Sequence, residues 1–174
     1  MTALLDQEKR HLAALLEAIQ RCVYFLDAAA APLTWPLKAD DLERQKKDKE
    51  LFGALAAVNE RFAKLQDTLG VAMRHAMELL GEPVETFLKV LAFYEKAGVI
   101  ESPADWQTCR TMRNLAAHSY ETDYADIAEH FNTLHEMQPM LYRASRELLS
   151  YCLANLGIGP AACDFADEFH IIVG

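Results

Sequence analysis

Residues 4–30 read LLDQEKRHLAALLEAIQRCVYFLDAAA, a stretch in which apolar side chains recur every three or four residues. The recurring positions are Leu5, Leu12, Leu16, Ile19, Val23 and Leu26. This spacing is typical of an amphipathic helix, because residues at such steps share one face. The stretch therefore predicts a first helix over about residues 3–29, with one apolar stripe that faces the core.

The same rhythm continues farther along the chain, after a segment that contains Pro32 and Pro36. Apolar residues fall at Leu55, Val58, Phe62, Leu65, Leu69, Ala72, Ala76 and Leu79. These positions predict a second helix of about 40 residues, which begins at Asp40 or Asp41 and ends at Gly81. Two long helices with apolar stripes are expected to pack against each other in antiparallel fashion.

Three more helices are predicted after Gly81. Their predicted limits are Pro83 to Gly98, Pro103 to Tyr120, and Tyr124 to Gly157. Ser102 and Asp123 precede two of these helices and are expected to cap them. Pro139 is expected to kink the last helix or to split it in two. On the first of the three helices, the residues expected to face the core are Phe87, Leu88, Leu91 and Tyr94.

These elements predict an all-α, up-and-down helical bundle of about five helices, two of them long and antiparallel. Residues 1–157 are expected to form the helical domain, and residues 158–174 a short C-terminal tail. The sequence contains no run of about 18 uncharged apolar residues, so no membrane span is predicted. The N-terminus lacks the pattern of a signal peptide, so we expect a cytoplasmic protein without a membrane partner.

The charge of the chain restricts the kind of partner that it binds. There are 17 Lys and Arg residues against 26 Asp and Glu residues, which gives a net charge of −9. Proteins that coat nucleic acid are usually basic, so an extended nucleic-acid surface is excluded. A polyanion would have to bind in a local basic pocket.

No metal site and no cofactor are predicted. His130 and His135 are five residues apart, and Asp126 and His130 are four apart. A separation of four is a metal-ligand spacing on a helix, but a third ligand is missing. The cysteines form no C-x-x-C pair and are expected to be free thiols. They are Cys22, Cys109, Cys152 and Cys163.

Residues 108–123 read TCRTMRNLAAHSYETD and place several polar groups on the fourth predicted helix or at its end. The group consists of Arg110, Arg113, Asn114, His118 and Tyr120. These side chains supply fixed cations, an amide, an imidazole that titrates near neutral pH, and a phenol. On their chemistry alone they fit either a catalytic site or a structural polar network at a dimer interface.

The segment RNLAAHSY, residues 113–120, has the pattern R-N-x-x-x-H-x-Y. It resembles the signature of the HEPN superfamily, and most closely that of the HepT-like branch, R-x-x-x-x-H-x-Y. The helical layout over about residues 5–155 is also similar to that branch and to the related nucleotidyltransferase substrate-binding proteins. The motif lies on the fourth predicted helix of an acidic all-α chain, which makes the resemblance more specific than eight residues alone.

The resemblance implies the toxin of a toxin–antitoxin pair, which cleaves RNA without a metal ion. Arg113 would stabilise the phosphate charge, and His118 would act as acid or base. Asn114 and Arg110 would support them. Both catalytic side chains are expected to be partly exposed, so their replacement by alanine should leave the fold intact. The resemblance also implies a homodimer in which two copies of the motif share one cleft.

The resemblance further implies a cognate nucleotidyltransferase antitoxin, which transfers AMP to Tyr120 and so inhibits the toxin. Tyr124, four residues on, is the competing acceptor. A second interpretation remains open at this point. The similar substrate-binding proteins carry nearly the same motif, and in that case the chain would be a non-catalytic, substrate-binding subunit of a minimal nucleotidyltransferase.

Overall fold

The computed structural model describes the backbone of residues 1–119 and 122–174, and the side chains of residues 1–114 and 122–174. These residues form seven helices and no strand, which confirms the all-α class with more helices than predicted. Within the described part of the chain, no helix is long and apolar enough to cross a membrane. The helices are α1 (Thr2–Ala30), α2 (Ala39–Arg44), α3 (Lys49–Leu79), α4 (Phe87–Lys96), α5 (Pro103–Ser119), α6 (Tyr124–Leu156) and α7 (Ala166–Val173).

Helices α1 and α3 pack against each other in antiparallel fashion, as predicted. Near one end of the pair Glu8 contacts His75. Near the other end, the Arg61 guanidinium lies 5.0 Å from the centroid of the Phe25 ring. The predicted stripe of α1 is buried from Leu12 onward, and the apolar stripe of α3 lies against it. Helix α6 packs on α3 and completes the core.

The predicted burial of Leu5 is wrong. This side chain is 46% exposed, although it belongs to the same apolar spacing as the rest of the α1 stripe. The antiparallel pairing explains the difference. Helix α3 ends at Leu79, so its last turn only partly covers the first turns of α1.

The length predicted for the second helix is also wrong, because residues 45–48 divide it into α2 and α3. The carboxylate of Asp48 accepts hydrogen bonds from the backbone N–H groups of Glu50 and Leu51, both at 3.0 Å. These bonds start a new helix at this point. Leu42 is buried and anchors α2, which packs on α6.

The predicted helix ends are confirmed where local chemistry determines them. The Ser102 hydroxyl accepts a hydrogen bond from Asp105 N at 3.3 Å, and the Asp123 carboxylate accepts one from Ala125 N at 2.8 Å. The glycines that follow three helices adopt a left-handed conformation, which disfavours other residues. Their φ angles are 76° at Gly81, 76° at Gly98 and 65° at Gly157.

Pro83 does not begin a helix. Helix α4 begins four residues later, where the Thr86 hydroxyl accepts a hydrogen bond from Lys89 N at 3.3 Å. Leu88, which was predicted to face the core, is 61% exposed. Leu91 and Tyr94 are buried as predicted, together with Val90.

Pro139 does not split the last long helix, because α6 runs without a break from Tyr124 to Leu156. The proline is exposed, so its ring lies on the side of the helix away from the core. Leu134 and Leu141, on either side of it along the chain, are both fully buried. Packing on both sides of the proline therefore stabilises one continuous helix.

The segment predicted as a short tail contains α7, which packs on α1 and α6. Phe169 is 1% exposed and lies in the core. The backbone N–H of Ala161 donates to the carbonyl oxygen of Ala13 at 3.0 Å. Arg146 donates to the carbonyl oxygen of Val173 at 3.1 Å. These contacts join the last residues of the chain to the helical domain.

Replacing Phe169 by alanine should lower the free energy of unfolding by about 3–5 kcal/mol, because it removes a fully buried aromatic ring. Ile171 lies on the same helix but is 81% exposed, so Ile171→Ala should change the free energy by less than about 0.5 kcal/mol. Urea denaturation followed by circular dichroism measures both variants. Equal stabilities for the two would mean that α7 does not contribute to the core.

Candidate functional site

Helix α5 contains residues 113–119 of the motif and is held by contacts with α6, α3 and α4. Trp106 and Cys109 lie on its buried side, with exposures of 2% and 0%. Arg110 and Asn114 are exposed, as expected for supporting residues of a site. The side of α5 that bears Arg110 therefore faces solvent beside α3 and α4.

Arg113 is more buried than predicted. Its side chain is 13% exposed and points toward α3. Nη1 donates a hydrogen bond to the carbonyl oxygen of Ala63 at 2.9 Å and lies 2.9 Å from Oδ1 of Asp67. This side chain therefore links α5 to α3, and its replacement by alanine is expected to lower the stability of the protein.

A groove with a volume of about 400 Å³ lies between α3, α4 and α5. Three arginines contribute to its lining, and Asp67 is the one carboxylate among its described lining residues. The Arg74 guanidinium lies 5.7 Å from the centroid of the Phe87 ring, a cation–π contact that orients it. The arginines are Arg74, Arg110 and Arg113. The groove is thus a local basic pocket in an acidic protein.

The α4 wall of the groove is fixed by buried contacts with α3. The hydroxyl of Tyr94 donates to the carbonyl oxygen of Met73 at 2.6 Å, and burial raises the pKa of this phenol. Gly70 faces Phe87 closely, since a Cβ atom at this position would lie 3.3 Å from Cζ of the ring. The absence of a side chain at Gly70 lets Phe87 pack beside α3.

Two buried polar atoms in the groove wall have no hydrogen-bond partner among the residues that the structure describes. Gln66 is 3% exposed, and its Nε2 donates to the carbonyl oxygen of Trp106 at 3.2 Å. Its Oε1 atom and the Nε atom of Arg113 are both unpaired. Folded proteins rarely leave buried polar groups in this state. These atoms, one acceptor and one donor, are buried in the wall and would gain partners only if the wall rearranged around a polar group.

Cys109 lies in the same stretch but does not have the properties of a nucleophile. Burial raises the pKa of its thiol to about 12, and the nearby charge of Arg113 offsets only part of this effect. A thiol with that pKa is protonated at neutral pH, whereas the thiolate is the reactive form. Cys109 is therefore a core residue of α5.

His118 and Tyr120 are the two motif residues about which the structure gives no contacts. The side chain of His118 and the whole of Tyr120 lie outside the described residues. The competing residue Tyr124 is described, and it is half-buried. It lines a pocket of about 320 Å³ together with Phe52 and Phe131, so its ring is partly covered.

The polar residues of the groove that were not predicted as site residues are Gln66, Asp67 and Arg74. Asp67 and Arg74 are seven residues apart and therefore lie on one face of α3, a relation that helical spacing reveals. The spacing does not show which neighbouring helix that face meets. The packing of α5 on α3 supplies this information.

The histidines considered as metal ligands have other surroundings. Burial lowers the pKa of both His130 and His135, which favours their neutral forms. The His135 ring stacks on Trp35 with 4.1 Å between centroids. Among the side chains that the structure describes, no group of three or more His, Cys, Asp or Glu residues is arranged to hold a metal ion.

No family model, curated protein or solved structure matches this chain. The resemblance to the HEPN superfamily therefore remains an expectation that rests on the motif and the helical layout. The described geometry adds the groove beside that motif, which is independent of the resemblance.

Replacing Arg113 by alanine should lower the free energy of unfolding by about 1–3 kcal/mol, because it removes a charged hydrogen bond to the Ala63 carbonyl. Arg110→Ala is the matched control, and its exposed side chain predicts a change below about 0.5 kcal/mol. Chemical denaturation of both variants measures the difference. If Arg113→Ala were as stable as Arg110→Ala, the link between α5 and α3 would not contribute to the fold.

Proposed function

We propose that this protein is a metal-independent endoribonuclease of the HepT-like, HEPN type and the toxin of a toxin–antitoxin pair. The observation that carries the proposal is the position of the motif helix beside a basic groove. Arg110 and Arg113 belong to the motif stretch and line that groove. In a chain of net charge −9, such a local pocket is where a polyanion is expected to bind.

The proposed reaction uses the 2′-hydroxyl of RNA as the nucleophile. Its oxygen attacks the adjacent phosphorus while a base removes the proton, and the bond from phosphorus to the 5′-oxygen breaks. An acid returns a proton to that leaving oxygen, which yields a 2′,3′-cyclic phosphate and a 5′-hydroxyl. His118 has the residue type for the base or the acid, since imidazole titrates near neutral pH.

One copy of the motif supplies one histidine, whereas the reaction needs a base and an acid. A homodimer that brings two motifs into one cleft would supply both from two copies of His118. The exposed Asn114 on α5 is available to such an interface. Dimerisation through the motif face would also double the local positive charge.

Arg113 both holds α5 against α3 and carries further N–H donors for a phosphate. Ala63 and Asp67 both engage its Nη1 atom. A phosphate therefore has to contact another nitrogen of the guanidinium, which carries five N–H donors in total, or to displace Asp67. The Asp67 side chain is 61% exposed, so water already screens its attraction for Arg113 and makes displacement feasible.

One observation favours the second candidate function, that of a non-catalytic, substrate-binding subunit of a minimal nucleotidyltransferase. The contacts of Arg113 with Ala63 and Asp67 give the motif arginine a structural role within one chain. A binding subunit would need the groove but would not need His118 as an acid or base. Cleavage assays separate the two functions.

Regulation by AMP transfer fits the same site. An AMP group on Tyr120 would add a negative charge to the motif, so RNA would be repelled as well as excluded. Tyr124 is the weaker acceptor, because its ring is half-buried against Phe52 and Phe131. The proposed modifying partner is a cognate nucleotidyltransferase, the antitoxin of the pair.

His118→Ala should lower the rate of RNA cleavage at least about 100-fold, because a general acid or base contributes a factor of about 10² to 10⁴. Cleavage should persist in the wild-type protein when EDTA is present. His170→Ala is the matched control, since His170 is exposed on α7. Gel assays with labelled RNA measure all three proteins. An unchanged rate for folded His118→Ala would exclude the acid–base role, and absence of cleavage by the wild type would favour the binding subunit.

Co-expression with the cognate nucleotidyltransferase should add one or more AMP units to the peptide that contains Tyr120. Tyr120→Phe should abolish this addition, whereas Tyr124→Phe should retain it because Tyr124 is partly covered. Mass spectrometry of the intact protein and its peptides gives the result. Modification that survives Tyr120→Phe and is lost in Tyr124→Phe would assign the site to Tyr124.

A further inference from the structure

We propose that the groove between α3, α4 and α5 binds the phosphate backbone of single-stranded RNA through Arg74 and Arg110, next to the motif. This inference rests on the proposed function, because RNA is the substrate that the motif would cleave. It adds a residue of α3, Arg74, to a site that the motif places on α5. It also gives Arg110 a direct role in binding, distinct from that of Arg113.

Charge is the first argument. The described lining of the groove contains three arginines and one aspartate, so positive charge is in excess by two. Arg113 is paired with Asp67, which leaves Arg74 and Arg110 to supply that excess. Both of these side chains are exposed and can reach a ligand in the groove. Two guanidinium groups on facing helices match the charge and the hydrogen-bonding pattern of phosphate.

The buried wall gives the second argument. Gln66 is 97% buried and lines the groove, yet its Oε1 atom has no hydrogen-bond partner. The Nε atom of Arg113, which also lines the groove, is likewise buried and unpaired among the described residues. Such atoms gain partners when a polar group enters and the side chains of the wall rearrange. An apolar occupant would leave both atoms unpaired, so the groove favours a polar ligand.

The position of the groove along α5 favours a strand over a small anion. Arg110 and His118 are eight residues apart on this helix, which corresponds to about 12 Å along its axis. A short single strand can span this distance, so one RNA molecule can extend along α5 from the groove to the backbone position of residue 118. The Arg74 guanidinium is oriented by the Phe87 ring and stands on the opposite wall from Arg110.

Asp67 should act against binding. Its side chain is 61% exposed and lines the same groove. The carboxylate pairs with Nη1 of Arg113 and should repel a phosphate group. Removing this charge should therefore strengthen RNA binding, whereas removing Arg74 or Arg110 should weaken it. A purely structural role for these residues would not produce effects of opposite sign.

The test measures binding of a 2′-O-methyl RNA, which lacks the attacking hydroxyl and stays intact, to the full-length protein by fluorescence anisotropy. One variant combines Arg74→Gln with Arg110→Gln, and the other is Asp67→Asn. Arg10→Gln is the matched control, since Arg10 is exposed on α1, a helix that does not line the groove. Thermal unfolding checks that each variant is folded.

We expect the double variant to bind at least about tenfold more weakly, with a salt dependence reduced by about one to two in log–log slope. Asp67→Asn should bind several-fold more tightly, and Arg10→Gln should bind like the wild type. Equal affinities for the folded double variant and the wild type would overturn the proposal. So would a wild-type protein that does not bind the RNA.

The outcomes separate this inference from the proposed function. Loss of cleavage in His118→Ala, together with unchanged RNA affinity of the groove variants, would support the nuclease function and overturn the RNA-binding role of the groove. Loss of affinity in the groove variants, with no cleavage by the wild type, would support the groove and overturn the nuclease. Tighter binding of AMP than of RNA, abolished in the same variants, would make the groove a mononucleotide site and overturn the assignment to RNA.

Discussion

The contacts of Arg113 with α3 determine where the motif helix lies, and the candidate site depends on them. Its Nη1 atom reaches the Ala63 carbonyl and the Asp67 carboxylate, both at 2.9 Å, so α5 is tied to the middle of α3. That position forms the groove, because it places Arg110 on α5 across from Arg74 on α3. The Arg113 guanidinium therefore spends part of its hydrogen-bonding capacity on contacts within the protein, and that part is not available to a ligand. The negative charge of Asp67 also weakens the attraction of the groove for anions.

The features predicted correctly from the sequence are those that local chemistry determines. Gly81, Gly98 and Gly157 end helices because each adopts a left-handed conformation, and Asp123 caps α6 through its own carboxylate. Apolar spacing identified the buried stripes for a similar reason, since it follows from the helical repeat. Two errors have local causes, since Asp48 and Thr86 cap helices that were predicted to begin elsewhere. Another error arises where a neighbouring element decides the outcome. Leu5 is exposed because α3 ends too early to cover it.

The candidate site was predictable to a smaller extent than the fold. The motif stretch predicted Arg110 and Arg113 as site residues, and both line one groove in the structure. The motif stretch could not predict Gln66, Asp67 or Arg74, because these residues lie on α3. They become part of the site only through the packing of α4 and α5 on that helix. Nor could spacing show that Arg113 faces inward. Only its distances to Ala63 and Asp67 reveal that role.

The overall negative charge and the basic groove are compatible because electrostatic effects differ in range. At physiological salt the Debye length is about 8 Å, so acidic residues on distant surfaces have little effect on a phosphate in the groove. Arg74 and Arg110 act at contact distance, where screening is weaker. The acidic surface still disfavours polyanions that lie flat on the protein. A net charge of −9 would then restrict RNA to a strand that enters the groove, which provides selectivity without a basic surface.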